Sequence, residues 1–152
     1  MSMDLEEQYD KIYRYCYFKL QRRDLAEDIT QETFLRFLES KTYQNRGQAL
    51  QYLYTIARNL CLDEYRRQPT QPLPEELADA GCEEQLVLGL ALRAALQELP
   101  EEERELVLLR YVNEVPVKII GEVLGLSRFA VYRRTSAVLQ KLQQKLGKEE
   151  EL

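Results

Sequence analysis

Three of the chain's five prolines stand within six residues, Pro69, Pro72 and Pro74. Proline lacks a backbone donor and pushes its predecessor out of the α region, so no helix passes through Gln68–Pro74. An acidic stretch continues the interruption to Gly81, and the two together predict a flexible linker over 68–82. The linker divides the 152 residues into two helical halves, 1–67 and 83–147, with an acidic tail at 148–152. Elsewhere glycine is scarce, and no segment alternates polar and apolar residues between hairpin turns, so the fold class is all-α. Hydrophobic content of 45% excludes a wholly disordered chain. No apolar run approaches the ~18 residues needed to span a bilayer. Met1–Tyr13 has acids and no apolar core for a signal peptide, so a cytoplasmic location is expected.

Histidine is absent, which removes every Ser–His, Cys–His and Glu–His catalytic arrangement. Cys16, Cys61 and Cys82 are far apart and form no CxxC pair. Buried reduced thiols are expected rather than a metal centre. Neither a convergent nucleophile nor a Gly-rich phosphate loop is present, so no cofactor, no metal and no catalysis are expected.

The net charge of −5 is unevenly spread. Met1–Gln68 holds 11 basic and 11 acidic residues, whereas Pro69–Leu99 holds 1 against 6. Ser127–Lys148 carries six basic residues and no acid. A basic segment inside an acidic protein is a localised electrostatic footprint.

In the first half, Asp24-Leu-Ala-Glu27 has capping-box spacing and opens a helix to about Glu39. Ala26, Ile29, Thr33 and Phe37 share its core face. Asp28, Gln31, Glu32, Leu35 and Glu39 share the other, with Leu38 at its edge. That face is either plainly solvated or a docking surface for a partner helix. A second helix is expected over Gln48–Arg67, with Leu53, Ile56, Ala57 and Leu60 inward. Thr55, Arg58, Asn59, Leu62 and Arg66 lie opposite, Tyr54 and Tyr65 stand on the flank, and Asp63 can pair with Arg67. Basic and amide groups beside tyrosines make either an ordinary exposed face or a stacking platform for unpaired bases.

The second half opens with an apolar helix, Glu84–Leu99. Pro100 and three following acids suit the start of a helix ending near Val112. Pro116 precedes a short helix, Gly125 makes a tight turn, and Ser127 caps a further helix, which together predict a helix-turn-helix. Val131, Thr135, Val138, Leu142 and Leu146 point inward on the last helix. Ser127, Arg128, Phe129, Tyr132, Arg133, Arg134 and Ser136 occupy its N-terminal end and outer face, where base edges, thymine methyls and phosphates can be met.

Three stretches in order carry a resemblance. Ala26–Arg36 is similar to the polymerase-binding helix of extracytoplasmic-function (ECF) bacterial RNA polymerase sigma factors. Tyr52–Arg67 resembles their minus-ten recognition helix, and Leu99–Tyr111 with the helix-turn-helix resembles the region that reads the minus-thirty-five element. The resemblance implies that Asp28, Gln31, Glu32 and Leu35 face core RNA polymerase. It implies that Tyr54, Arg58, Asn59, Leu62 and Arg66, with the loop Lys41–Gly47, hold single-stranded minus-ten DNA. The last helix would enter the major groove of upstream duplex, and an anti-sigma factor is implied as a further partner. Residues 1–67 would then be a region 2-like domain and 83–147 a region 4-like domain. Tyr52 stands where the family often has Trp, Gly121 where it often has Ala, and Ala137 and Leu139 where further arginines are common. The alternatives are a stand-alone helix-turn-helix regulator acting without polymerase and a helical interaction protein that has lost DNA binding.

Overall fold

A computed structural model describes residues 4–40, 48–67 and 94–150, with side chains through 147. The expected linker, the Lys41–Gly47 loop, Cys82 and most of the expected Glu84–Leu99 helix lie outside the described residues. The chain divides into two compact units, Met1–Asp79 and Ala80–Leu152.

The described residues of the first unit form three helices: α1 (Leu5–Leu20), α2 (Arg23–Ser40) and α3 (Ala49–Arg67). Asp4 caps α1, its carboxylate accepting from the Glu6 and Glu7 amides at 3.1 and 3.2 Å. Helix α2 begins at Arg23, two residues earlier than the capping-box spacing predicts. Asp24 therefore lies inside its first turn, where it accepts from the Arg22 guanidinium at 3.1 Å.

The expected core stripes are largely where the 3.6-residue period places them, with Ile29 and Leu60 half-buried. Ala26, Thr33 and Phe37 of α2 and Leu53, Ile56 and Ala57 of α3 are buried, against Ile12, Tyr15, Cys16 and Leu20 of α1. Thr30 and Thr33 tolerate burial because their hydroxyls donate to the carbonyls of Ala26 and Ile29, both at 2.7 Å. Aromatic contacts tie the helices together. Phe34 meets Tyr9 with ring centres 5.2 Å apart, and Phe37 meets Tyr52 at 6.3 Å. Burying a ring such as Phe37 stabilises the unit by about 1.5–3 kcal/mol. Cys16 and Cys61 are buried free thiols, as expected.

The second unit begins, in its described part, with a helical end at 94–97 that turns through Leu99 to Pro100. Pro100 stands just before α4 (Glu101–Val107), one position outside the helix, with Glu101, Glu102 and Glu103 in the first turn. There the acids oppose the positive end of the helix dipole. Helix α4 runs into a π-helical turn, Leu108–Val112, closed by the Asn113 amide donating to the Leu108 carbonyl at 2.8 Å. Helices α5 (Val117–Leu124) and α6 (Arg128–Glu150) follow. Ala95, Leu99, Val138 and Leu142 form one apolar cluster with Leu96, Val107 and Leu146 at its edge.

Helix α5 and the start of α6 are the expected helix-turn-helix. Gly125 ends α5 in the left-handed region at φ 73°. The amides of Gly125 and Leu126 both donate to the Gly121 carbonyl, the latter at 2.8 Å. The chain turns so closely that a Cβ on Gly121 would lie 2.5 Å from the Leu126 carbonyl oxygen. Ser127 caps α6, its Oγ accepting from the Ala130 amide at 3.0 Å. Among the described residues, no helix is long and apolar enough to cross a membrane.

Candidate functional site

Helix α2 turns a polar face away from its core. Asp28, Gln31 and Leu35 are exposed and Glu32 is half-buried, so the structure brings the four expected interface residues onto one side. Arg36 donates through Nε to Glu32 Oε2 at 2.9 Å. That i,i+4 pair fixes the carboxylate beside Leu35. Leu35 is 57% exposed and Leu38 is also exposed, so the face carries apolar area among its charges.

On α3, Asn59 and Arg66 are exposed while Arg58 and Leu62 are half-buried. Tyr54 does not join them. Its side chain is fully buried, standing edge-on to Tyr15 with ring centres 5.8 Å apart at 83°. The expectation of an exposed flank is therefore corrected: Tyr54 is a core residue with no ring face to offer a base. Tyr54, Ala57 and Cys61 fall at i, i+3 and i+7, the spacing of a buried stripe, which is the signal that would have placed it. Tyr65, by contrast, is exposed. The expected Asp63–Arg67 pair is also replaced. Asp63 meets Arg66 at 3.7 Å and Glu64 meets Arg67 at 3.6 Å, each three residues apart.

On α6 every expected inward residue from Val131 to Leu142 is buried, with Leu146 half-buried. Arg128, Phe129, Tyr132, Arg133, Arg134 and Ser136 are exposed. Ser127 is exposed too, with its hydroxyl engaged as the cap. The Arg133 guanidinium lies over the Phe129 ring, 5.7 Å from its centre.

The basic segment is not uniform. Lys141 donates through Nζ to both oxygens of Glu103 at 3.0 Å, and Lys145 donates to Glu98. Two of its six charges are thus spent inside the unit, holding α6 to the preceding elements. Among the described residues no carboxylate pairs with Arg128, Arg133 or Arg134. Among the described side chains of the segment, the positive charge without a carboxylate partner lies in the first two turns of α6, beside Phe129 and Tyr132.

Both units match known families. Residues 5–70 match the family model of sigma-70 region 2, and residues 89–142 that of sigma-70, region 4. The chain is 32% identical over 136 residues to the ECF RNA polymerase sigma factor SigW of Bacillus subtilis, covering 77% of this chain and 73% of SigW. It is 34% identical over 150 residues to the ECF RNA polymerase sigma factor SigE of Mycolicibacterium smegmatis, covering 91% of this chain and 58% of SigE. For the ECF RNA polymerase sigma factor BldN of Streptomyces coelicolor the identity is 35% over 141 residues, covering 84% and 53%. The chain therefore spans little more than half of the last two. A solved sigma factor RpoE, in complex with the anti-sigma factor NepR from Bartonella quintana, shares the fold with a TM-score of 0.66 at 19% identity, covering 91% of each chain.

Proposed function

The chain belongs to the ECF RNA polymerase sigma factors, and from that premise we propose how its exposed faces divide the work. Helix α2 docks on core RNA polymerase through Asp28, Gln31, Glu32 and Leu35. Helix α3 holds melted minus-ten DNA through Arg58, Asn59, Leu62 and Arg66, and residues 41–47 contribute to the same DNA contact. The start of α6 enters the major groove of upstream duplex through Arg128, Phe129, Tyr132, Arg133, Arg134 and Ser136. In this reading 1–67 and 83–147 are the region 2-like and region 4-like domains, joined by a linker at 68–82. The protein acts in the cytoplasm, leaves nucleotide chemistry to polymerase, and is held in check by an anti-sigma factor.

The observation that carries the reading is the exposed α6 surface, where aromatic rings share two turns with arginines that have no carboxylate partner among the described residues. Such a surface suits a polyanion and disfavours simple solvation. The footprint is small, so the free protein binds duplex weakly. Joined on polymerase, the two DNA contacts act at high effective concentration and become selective. Opening the minus-ten duplex costs on the order of 1–2 kcal/mol per base step, and capture of unstacked bases on α3 offsets part of that cost. The stand-alone regulator is not favoured, because residues 5–70 match sigma-70 region 2.

The test is co-elution with core RNA polymerase followed by permanganate probing of promoter thymines. The reading expects a stable complex, weakened by Leu35→Ala or Gln31→Ala, and thymine reactivity at the minus-ten element that Asn59→Ala lowers. A protein that never co-elutes with core enzyme contradicts it.

A further inference from the structure

Phe129 is 73% exposed, more than any other exposed large apolar side chain among the described residues. A solvated helix has no use for such a ring. One turn on, at the i+4 position that shares its face, the Arg133 guanidinium lies 5.7 Å from the ring centre. That is within cation–π range. Among the described residues no carboxylate competes for Arg133. The ring is therefore what orients it.

We infer that Phe129 and Arg133 act as one reading unit for a guanine with a thymine at the adjacent base step of the upstream duplex. The inference rests on the sigma reading of α6 given above and names the sequence that face takes. Arginine has donors and no acceptor, arranged as a fork. In the major groove only guanine offers two acceptors to one fork, O6 and N7, whereas adenine puts an amino donor in the same place. Attraction to the Phe129 ring holds the guanidinium near it before DNA arrives, so less side-chain freedom is lost on binding. The same ring is an apolar surface, and the group it suits in the groove is the thymine C5-methyl. Guanidinium carbon and ring centre are separated by 5.7 Å. With base pairs stacked about 3.4 Å apart, the near edge of the ring falls on the neighbouring step. Phe129 is thus a positioning residue for Arg133 and a contact in its own right.

The experiment uses the full-length protein bound to core RNA polymerase and a promoter library with a fixed minus-ten element and a randomised upstream element. Sequencing of bound DNA is expected to recover guanine next to thymine. On a recovered site, 7-deazaguanine for that guanine lowers binding by roughly tenfold, and uracil for the thymine by about three- to fourfold. Phe129→Leu, which keeps an apolar surface but no ring, is expected to lose most of the guanine-over-adenine ratio while retaining part of the methyl preference. Phe129→Tyr and Phe129→Trp keep the guanine ratio, since both retain a ring for the guanidinium. Both positions are exposed, and unchanged melting temperatures confirm that the fold is not what moved. If Phe129→Leu leaves the guanine ratio intact, the two side chains read independently and the inference is overturned. If Arg133→Ala weakens all sequences equally, Arg133 sits on phosphate and it is overturned as well. If the wild-type protein shows no polymerase-dependent enrichment, the sigma reading itself fails and takes the inference with it.

Discussion

The ring of Tyr54 on α3 stands edge-on to that of Tyr15 on α1, centres 5.8 Å apart at 83°, with both side chains fully buried. This contact separates what stabilises the first unit from what its exposed faces do. Replacing Tyr54 by Ala is expected to lower the stability of the unit by about 3–5 kcal/mol, the range for deleting a buried aromatic ring. Urea unfolding followed by far-ultraviolet circular dichroism checks this. Selective loss of promoter opening with unchanged stability would contradict the burial.

A second prediction concerns the turn of the helix-turn-helix. Where the family resemblance leads to alanine, Gly121 faces the Leu126 carbonyl so closely that a Cβ would stand 2.5 Å from the oxygen. Gly121→Ala must push the turn outward and is expected to cost about 1–3 kcal/mol, as for overpacking elsewhere. Gly125→Ala meets open space but keeps a φ of 73°. It is expected to cost about 1–2 kcal/mol through backbone strain alone. Thermal melts of the two variants compare crowding with strain.

Removing the α6 cap is a milder change. Ser127→Ala leaves the Ala130 amide without its 3.0 Å acceptor. A loss of about 1 kcal/mol is expected, within the range for N-cap replacements. The double variant with Gly125→Ala tests whether turn and cap act independently.

The charges of α6 separate by their partners. Lys141 and Lys145 are held by Glu103 and Glu98, whereas Arg134 faces no carboxylate among the described residues. With the full-length protein on core polymerase, Arg134→Ala is expected to reduce the salt slope of upstream binding by about one unit. Lys141→Ala leaves that slope unchanged and costs about 0.2–1 kcal/mol of stability as an exposed pair. Equal slope changes for both variants would mean that Lys141 contacts DNA.

The contrast between these residues shows which features were legible before the structure. Gly125, Ser127 and Pro116 act on their own backbone neighbours, so the turn, the cap and the helix start could be read from a dozen consecutive residues. The core stripes of α2 and α6 were legible for a similar reason, because a 3.6-residue period belongs to one helix. For Tyr54 the spacing with Ala57 and Cys61 carried the burial, but its edge-on contact with Tyr15, on another helix, was not legible. The engagement of Lys141 and Lys145 was hidden too, because their partners lie 38 and 47 residues away. A charge count sees six basic residues; folding decides which remain available. Leu35 shares its helix face with Asp28, Glu32 and Glu39, and its exposure makes it apolar surface that a partner can bury.

Run-off transcription on a promoter library, with core RNA polymerase alone and with the full-length protein added, tests the central claim most directly. The account predicts promoter-specific transcripts that depend on the protein. They are lost when Asp28 and Gln31 are both replaced by Ala, or when Arg58 and Asn59 are, with helical content unchanged. An absence of transcripts, together with polymerase-independent binding to a symmetric DNA site, would contradict it.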